Sequence, residues 1–318
     1  MSCPNFIIGI DTSNYTTSLG IVTLEGEVVA NLKIPLAVKS GECGLRQSDA
    51  VFAHVKNLPN IIKDAEKYVS CGKIAAVGVS SRPRKQQGSY MPCFLSGIVA
   101  AQSIASISGG KLYEYSHQCG HIMAALYSSG KMDLADSQFA AFHVSGGTTE
   151  ILRVFPDTEG FLVELVGGTE DINAGQAIDR IGVMLGLDFP AGAHLEQLAL
   201  ANTVKIPKKK ISVNGLRANL SGLENLACKL YRDTENREIV SAFALDFVGR
   251  TLYDLRKSYV EAYGDVPFVF AGGVMSNSII KGMLADNNTY FAEPKFSSDN
   301  AVGIALLALR SYNNERNS

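Results

Sequence analysis

Phe6-Ile7-Ile8-Gly9-Ile10-Asp11-Thr12-Ser13-Asn14-Tyr15-Thr16-Thr17-Ser18-Leu19-Gly20-Ile21-Val22-Thr23-Leu24 is the stretch that decides the fold. Apolar runs at 6–10 and 19–24 flank a hydroxyl-rich link from Asp11 to Ser18, the pattern of two strands joined by a polar turn. The pattern returns downstream. Ala140 to Ser145 reads as a strand, Gly146-Gly147-Thr148-Thr149 as a tight polar turn, and Ile151 to Phe155 as the returning strand. Third strands are predicted at 27–34 and 161–166. Val51, Val55, Leu58, Ile62, Ala65 and Val69 recur at helical spacing, which predicts an amphipathic helix facing inward through those positions. Ile74 to Val79 reads as a buried strand and 94–107 as a small-residue helix. In the second half, Gly175 to Leu185 and 237–263 read as helices, the longer one stopped by Gly264 with Pro267 beyond. A strand at 267–271, the turn Gly272-Gly273 and a closing helix over 300–312 follow.

A plan of strand, turn, strand, strand, helix and strand therefore occurs twice. It implies an α/β architecture of two related domains with a ligand cleft between them. The expected halves are 1–115 plus 297–318, and 116–296, with an insertion near 203–235 that carries Lys208-Lys209-Lys210.

Of 318 residues, 46% are hydrophobic and 19% charged, enough apolar material for packed cores, which excludes a disordered chain. No apolar run approaches the ~18 residues of a membrane span, so no membrane partner is expected. Met1 to Asp11 lacks the basic region and cleavage site of a signal peptide, so a cytoplasmic protein is expected. The net charge of −2 gives no global attraction to nucleic acid, and an RNA partner would need a local basic patch or another subunit. The six cysteines are scattered without a Cys-x-x-Cys pair, which favours reduced thiols over a disulfide framework or zinc site.

Two hairpin turns rich in Asp, Ser, Thr and Gly could converge on an anion through backbone N–H and hydroxyl groups. Gly272-Gly273, ahead of Asn277, would let a flat group approach the backbone. Each turn alone reads as an ordinary hairpin; together in a duplicated layout they favour a nucleotide cleft. His117 and His121 are spaced to share one helical face and could share a metal, with Asp299 as an acidic third ligand, although a polar helix start explains them equally well. Two imidazoles and a carboxylate would suit iron, zinc or manganese. Arg82, Arg84 and Lys85 follow a buried strand, where they read either as a solvated loop or as an anion site. Asp179 could pair with a neighbouring arginine on a helix surface.

Taken in order, Gly9-Ile10-Asp11-Thr12-Ser13, His117-x-x-x-His121, Val144-Ser145-Gly146-Gly147, Ala174 to Asp179, Ala271-Gly272-Gly273-Val274 with Asn277, and Ser298-Asp299-Asn300 resemble the TsaD family. This is the group of tRNA threonylcarbamoyl-adenosine transferases once labelled glycoproteases or O-sialoglycoprotein endopeptidases. The resemblance implies two ribonuclease-H-like domains of the actin, sugar-kinase and Hsp70 (ASKHA) type. It implies one divalent metal, iron or zinc, on His117, His121 and Asp299. It also implies an adenine nucleotide or adenylate held by His143, Val144, Ser145, Gly146, Gly147, Asp179, Gly192, Gly272, Gly273 and Asn277, with Asp11 and Ser13 as candidate catalytic residues. The implied reaction moves a threonylcarbamoyl group from its adenylate to adenosine 37 of tRNA. TsaB- and TsaE-like proteins are then expected partners, as is a homodimer.

The chain departs from the family pattern at the reacting end. Tyr15 stands where the family carries an acid, Gln176 replaces a glutamate, Thr148 replaces a histidine, and Ser81 to Gly88 replaces a glycine-rich loop. Such departures suit a divergent paralogue. They leave open a carbamoyl- or phosphoryl-transfer enzyme with another acceptor, and a non-catalytic nucleotide-sensing partner. No placed nucleophile–base pair supports a protease.

Overall fold

In the computed structural model, which describes residues 5–13, 15–37, 45–70, 72–297 and 301–317, the opening hairpin pairs β1 (Asn5–Asp11) antiparallel with β2 (Thr16–Thr23), setting Ile10 opposite Leu19 and Asp11 opposite Ser18. β3 (Val28–Pro35) continues the meander. α1 (Gln47–Val69) then leads to β4 (Lys73–Arg82), and α2 (Phe94–Ser108) to β5 (Lys111–Ser116). β4 lies parallel to β1 and β5 parallel to β4, pairings that need the crossover connections the helices α1 and α2 supply. Among the described residues this sheet has five strands in the order β3-β2-β1-β4-β5. β1 and β2 are almost wholly buried and rich in Ile, Val and Leu, as expected of strands covered on both faces.

α3 (His117–Ser128) follows β5 directly. Its N-cap Ser116 has extended backbone and accepts a hydrogen bond from the Cys119 amide at 3.2 Å.

The second sheet repeats the scheme. β6 (Phe139–Val144) pairs antiparallel with β7 (Thr149–Asp157), and β8 (Gly160–Thr169) lies beside β7. α4 (Ala174–Met184), α5 (Gly192–Ala201), the short strands β9 (Ser212–Asn214) and β10 (Arg217–Asn219), α6 (Gly222–Thr234) and α7 (Arg237–Tyr263) come next. β11 (Phe268–Ala271) runs parallel to β6; α8 (Ser278–Leu284), β12 (Thr289–Phe291) and α9 (Pro294–Ser297) follow. The order among the described residues is β12-β11-β6-β7-β8-β10-β9. With β6, β7, β8, β11 and β12 in the roles of β1 to β5, the first five strands reproduce the first sheet, and β10 and β9 extend one edge. The chain closes with α10 (Val302–Asn317), whose residues from Val302 to Leu309 are all buried.

The chain separates into two compact units: 1–135, 156–162 and 298–318 form one, and 136–155 and 163–297 the other. The first boundary thus falls after Ala135 rather than after residue 115, because α3 packs on α10. A glycine pair permits that approach: a Cβ on Gly303 would stand 1.9 Å from the Gly120 carbonyl oxygen.

One helix face differs from the periodicity reading. α1 buries Ala50, His54, Leu58, Ile61 and Ala65, while Val55 is 55% exposed. Leu58 and Ala65 are buried as the spacing predicts, while nearer the helix start Ala50 and His54 turn inward in place of Val51 and Val55, with His54 Nδ1 2.8 Å from Thr17 Oγ1. Cys93, Cys119 and Cys228 are free thiols, whereas Cys3, Cys43 and Cys71 lie outside the described residues. Among the described residues no helix is long and apolar enough to cross a membrane.

Candidate functional site

In the first unit, three parallel strands deliver their carboxyl ends to one edge, where loops of α/β sheets carry ligands. Register places Ile10 beside Val79 and Arg82 beside Ser116, so Asp11, Ser80 and the start of α3 converge. Asp11 is 1% exposed. Its Oδ1 accepts from Ser80 Oγ at 2.7 Å and from the Ser13 amide at 2.9 Å, and its Oδ2 meets His117 Nδ1 at 2.7 Å. His117 Nε2 lies 2.9 Å from His121 Nε2, as residues four apart on one helix face allow. The sequence pairing of His117 with His121 is therefore realised in space. Asp11, separate from them in the chain, is what orients the first ring.

This arrangement fits a divalent metal. Two nitrogen donors each about 2.0–2.1 Å from one zinc ion stand roughly 3 Å apart, the separation of these Nε2 atoms. A carboxylate on the remote nitrogen is the usual second partner of a ligating imidazole. Asp299, the expected third ligand, lies outside the described residues. Among the described residues no cluster of three or more His, Cys, Asp or Glu side chains is assembled for a metal.

Nearby thiols are poor nucleophiles. Burial pushes Cys93 up to about 11, with the charge of Asp11 adding to the effect. Burial likewise raises Cys119, whose Sγ donates to the Phe161 carbonyl at 3.5 Å. Arg82 and Lys85 have carboxylate partners: Arg82 meets Glu159 at 3.0 Å, and Lys85 meets Asp157 at 2.5 Å and Glu159 at 3.3 Å. Burial works against the Lys85 charge, but the hydrogen bonds it donates to both carboxylates outweigh it and hold the ammonium above its ordinary value. An incoming anion would have to displace these carboxylates. Arg84 donates its amide to Ser89 Oγ at 3.1 Å.

In the second unit, the turn after β6 is closed by Ser145: its amide donates to the Thr148 carbonyl at 2.7 Å and its Oγ accepts from the Thr148 amide at 3.1 Å. Gly272, at φ 105°, brings the end of β11 against this turn; a Cβ there would sit 2.2 Å from the Val144 carbonyl oxygen. Gly175 brings α4 in the same way, a Cβ falling 2.5 Å from the Gly146 nitrogen. Three segments thus meet around a cavity of about 340 Å³, within the range of ligand sites. Gly146, Asp179, Gly192, Gly273 and Asn277 line it. Among the described residues, nothing beyond the local chain lies within 4 Å of a Cβ built on Gly146, Gly192 or Gly273, so these glycines leave backbone open to a ligand rather than serving packing. That open cradle fits a nucleotide.

The other expected residues are not in the lining, and Gly147 is exposed in the turn. Val144 is fully buried in the core, His143 lies on β6, and Ser145 and Gly272 shape the turn. Asp179 is not paired with an adjacent arginine: its Oδ1 accepts from the Ala191 amide at 2.8 Å, while Arg180 pairs with Glu224. Asn277 is 7% exposed and caps α8, its Oδ1 accepting from the Ile280 amide at 3.0 Å. The sequence reading missed Glu196, which also lines the cavity and accepts from the Ser278 amide at 2.6 Å. Its signal is its place one turn after Gly192 on α5.

Solved structures share the fold at low identity. HypF from T. kodakarensis superposes with a TM-score of 0.60 at 12% identity, covering 99% of this chain and 48% of that one. Component A of the (R)-2-hydroxyglutaryl-CoA dehydratase of Acidaminococcus fermentans gives 0.52 at 16% identity, covering 97% and 99%. Both sheets, with their repeated strand order, are of the ASKHA type. In sequence, the tRNA N6-adenosine threonylcarbamoyltransferase of Streptococcus suis is 28% identical over 97% of this chain and 93% of its own, and that of Streptococcus mutans 27% identical over 96% and 92%. Residues 29–306 match the family description "TsaD: tRNA N6-adenosine threonylcarbamoyltransferase". With that match running from the first meander into the closing helix, this chain belongs to the TsaD family.

Proposed function

We propose that this chain transfers a threonylcarbamoyl group from its adenylate to the N6 amine of adenosine 37 in tRNA. The observation that carries the reading is the His117–His121 pair backed by Asp11 in a chain of this family. In the reaction the N6 nitrogen forms a bond to the carbamoyl carbon, the carbon–oxygen bond to the phosphate breaks, AMP leaves and N6 gives up a proton. His117 and His121, with Asp299 as the resemblance implies, would hold a divalent ion, iron or zinc, which when bound would supply Lewis-acid chemistry. The protein's own part is positioning. Asp11 fixes the His117 ring, and Gly146, Gly192 and Gly273 admit the nucleotide to bare backbone. Asp179 and Asn277 hold the helix starts that frame its pocket. tRNA is the acceptor, the cytoplasm the compartment, and TsaB- and TsaE-like proteins the partners in this reading.

The test combines purified protein, threonylcarbamoyl-adenylate, unmodified tRNA and the two partner proteins, beside a His117→Ala/His121→Ala double variant. Modified adenosine that disappears in the variant is the expected result. Absence of product from a wild-type protein that still binds AMP and metal would sink the tRNA role.

A further inference from the structure

The second unit holds a basic segment that the reading above leaves unused. From Gln197 to Leu223 the chain carries Lys205, Lys208, Lys209, Lys210 and Arg217 and not one Asp or Glu, in a protein whose net charge is −2. All five side chains are exposed. On the same unit, Arg180 and Arg250 are occupied by Glu224 at 3.4 Å and Asp246 at 2.7 Å. Among the described residues none of the five cations has such a partner.

The backbone under the lysines is held. Ile206 and Ile211 bracket them and pack against the core of the unit, and Arg250 Nη1 donates to the Lys209 carbonyl at 3.0 Å. Less freedom is lost when a ligand meets cations on such a backbone than on a loose tail. Topology brings them to the ligand edge. Lys210 stands two residues before Ser212, which opens β9 and pairs with Asn219, the last residue of β10. The next amides, of Leu220 and Ser221, donate to Asp171 in the loop before α4, and α4 packs against the turn that walls the nucleotide cavity. Glu224, in the first turn of α6, lines an open hollow of about 620 Å³ that shares Gly146 and Asp179 with that cavity. Arg217 lies at the other end of β10.

We propose that Lys208, Lys209 and Lys210, with Lys205 beside them in the chain, are a landing site for the phosphate backbone of the acceptor RNA. This rests on the tRNA reading above, and it supplies the local basic patch that a chain of net charge −2 needs. Phosphate contacts position a nucleic acid without reading its bases, which suits lysines set beside a cavity rather than in it. An acidic protein face is the competing occupant. The edge position favours RNA, because the acceptor adenosine has to come to the bound adenylate.

The test measures retention of unmodified tRNA by the full chain on filters across a salt series. Wild type is compared with Lys208→Gln/Lys209→Gln/Lys210→Gln and with Lys208→Arg/Lys209→Arg/Lys210→Arg. A third variant, Lys56→Gln/Lys63→Gln/Lys67→Gln, removes the same charge from exposed positions on α1. Thermal unfolding and AMP affinity are recorded for each. The expected result is a salt slope shallower by about 2 units in the glutamine variant of the patch, at about 0.7 per lost phosphate contact. The slope holds in the arginine and α1 variants, and unfolding and AMP affinity match wild type throughout. The loss is equal for tRNA with guanosine in place of adenosine 37. A wild-type slope in the glutamine variant, or an equal drop in the α1 variant, overturns the proposal while product formation by wild type keeps the acceptor reading standing. A wild-type slope with lost transfer in the presence of the partner proteins also overturns it, and assigns the patch to an acidic partner face. A wild-type chain that forms product without retaining tRNA by itself overturns the proposal alone. One that neither retains tRNA nor forms product overturns the acceptor reading, and the proposal with it.

Discussion

Nδ1 of His117 and Oδ2 of Asp11 lie 2.7 Å apart although 106 residues separate them in the chain. The contact exists because β1, β4 and β5 are parallel and end at one edge. A carboxylate there favours the tautomer with the proton on Nδ1 and the lone pair on Nε2, the atom that faces His121 at 2.9 Å. Asp11→Asn keeps the shape and removes the charge, and is expected to lower metal affinity by about 10–100-fold. A chelator-competition titration measures this, and an unchanged affinity would remove Asp11 from that role.

The glycines of the second unit divide into two kinds that mutation can separate. Gly272→Ala forces a Cβ against the Val144 carbonyl at a left-handed φ. It is expected to cost about 1–3 kcal/mol of stability or more. Gly146→Ala and Gly273→Ala meet nothing among the described residues, so their unfolding temperatures should match wild type. Their AMP affinity should fall by about tenfold, or ~1.4 kcal/mol. Calorimetric titration and thermal unfolding on the same samples decide; normal AMP binding in Gly146→Ala would argue that the nucleotide lies elsewhere.

Asp171 anchors the start of α6 from the loop before α4. Its Oδ1 accepts from the Ile172 and Leu220 amides at 2.7 and 2.9 Å, and its Oδ2 from the Ser221 amide at 2.9 Å. Burial opposes its charge, but hydrogen bonds from the Ser221 side chain and these amides prevail and hold the carboxyl below its ordinary value. The folded pKa is thus lower than the unfolded value of about 3.9. Its stabilisation is fully present above that pH and is lost as the pH falls through the folded value. Asp171→Ala is expected to cost ~1 kcal/mol at neutral pH. Relative to wild type, its thermal midpoint should also lose less on acidification below about pH 4. Parallel melting curves for the two proteins from pH 7 to pH 3 would refute the assignment.

Arg82 and Lys85, read from sequence either as part of a solvated loop or as an anion site, are paired with Asp157 and Glu159 at the β7–β8 hairpin. Removing both carboxylates as Asp157→Asn/Glu159→Gln should release the cations. The variant should bind tRNA more tightly than wild type, with a steeper fall in affinity as salt is raised. Filter binding across a salt series measures it. Equal slopes would mean that the cations do not face the nucleic acid.

Much of the fold was legible in local pattern. The long helix at 237–263 was marked by its apolar spacing and by Gly264, and it spans Arg237–Tyr263. Both hairpins were visible because polar turns interrupt apolar runs. The pairing of His117 with His121 was equally local, since a helix face repeats every three or four residues. The inward face of α1 was legible in part: Leu58 and Ala65 are buried as the periodicity predicts, but it chose Val55 where the fold turns His54 inward. A buried histidine carries no sequence mark until Thr17 on a separate strand is brought to it.

By itself, then, the sequence determined the elements, their duplicated order and the family, because these depend on neighbours a few residues apart and on motifs read in succession. The tertiary structure alone decided that Asp11 backs His117, that Asp179 holds the Ala191 amide, and that Asp157 and Glu159 occupy the cations of the Arg82–Lys85 loop. Each of those contacts joins residues from separate elements. Strand order and register place them side by side, and no local periodicity encodes that.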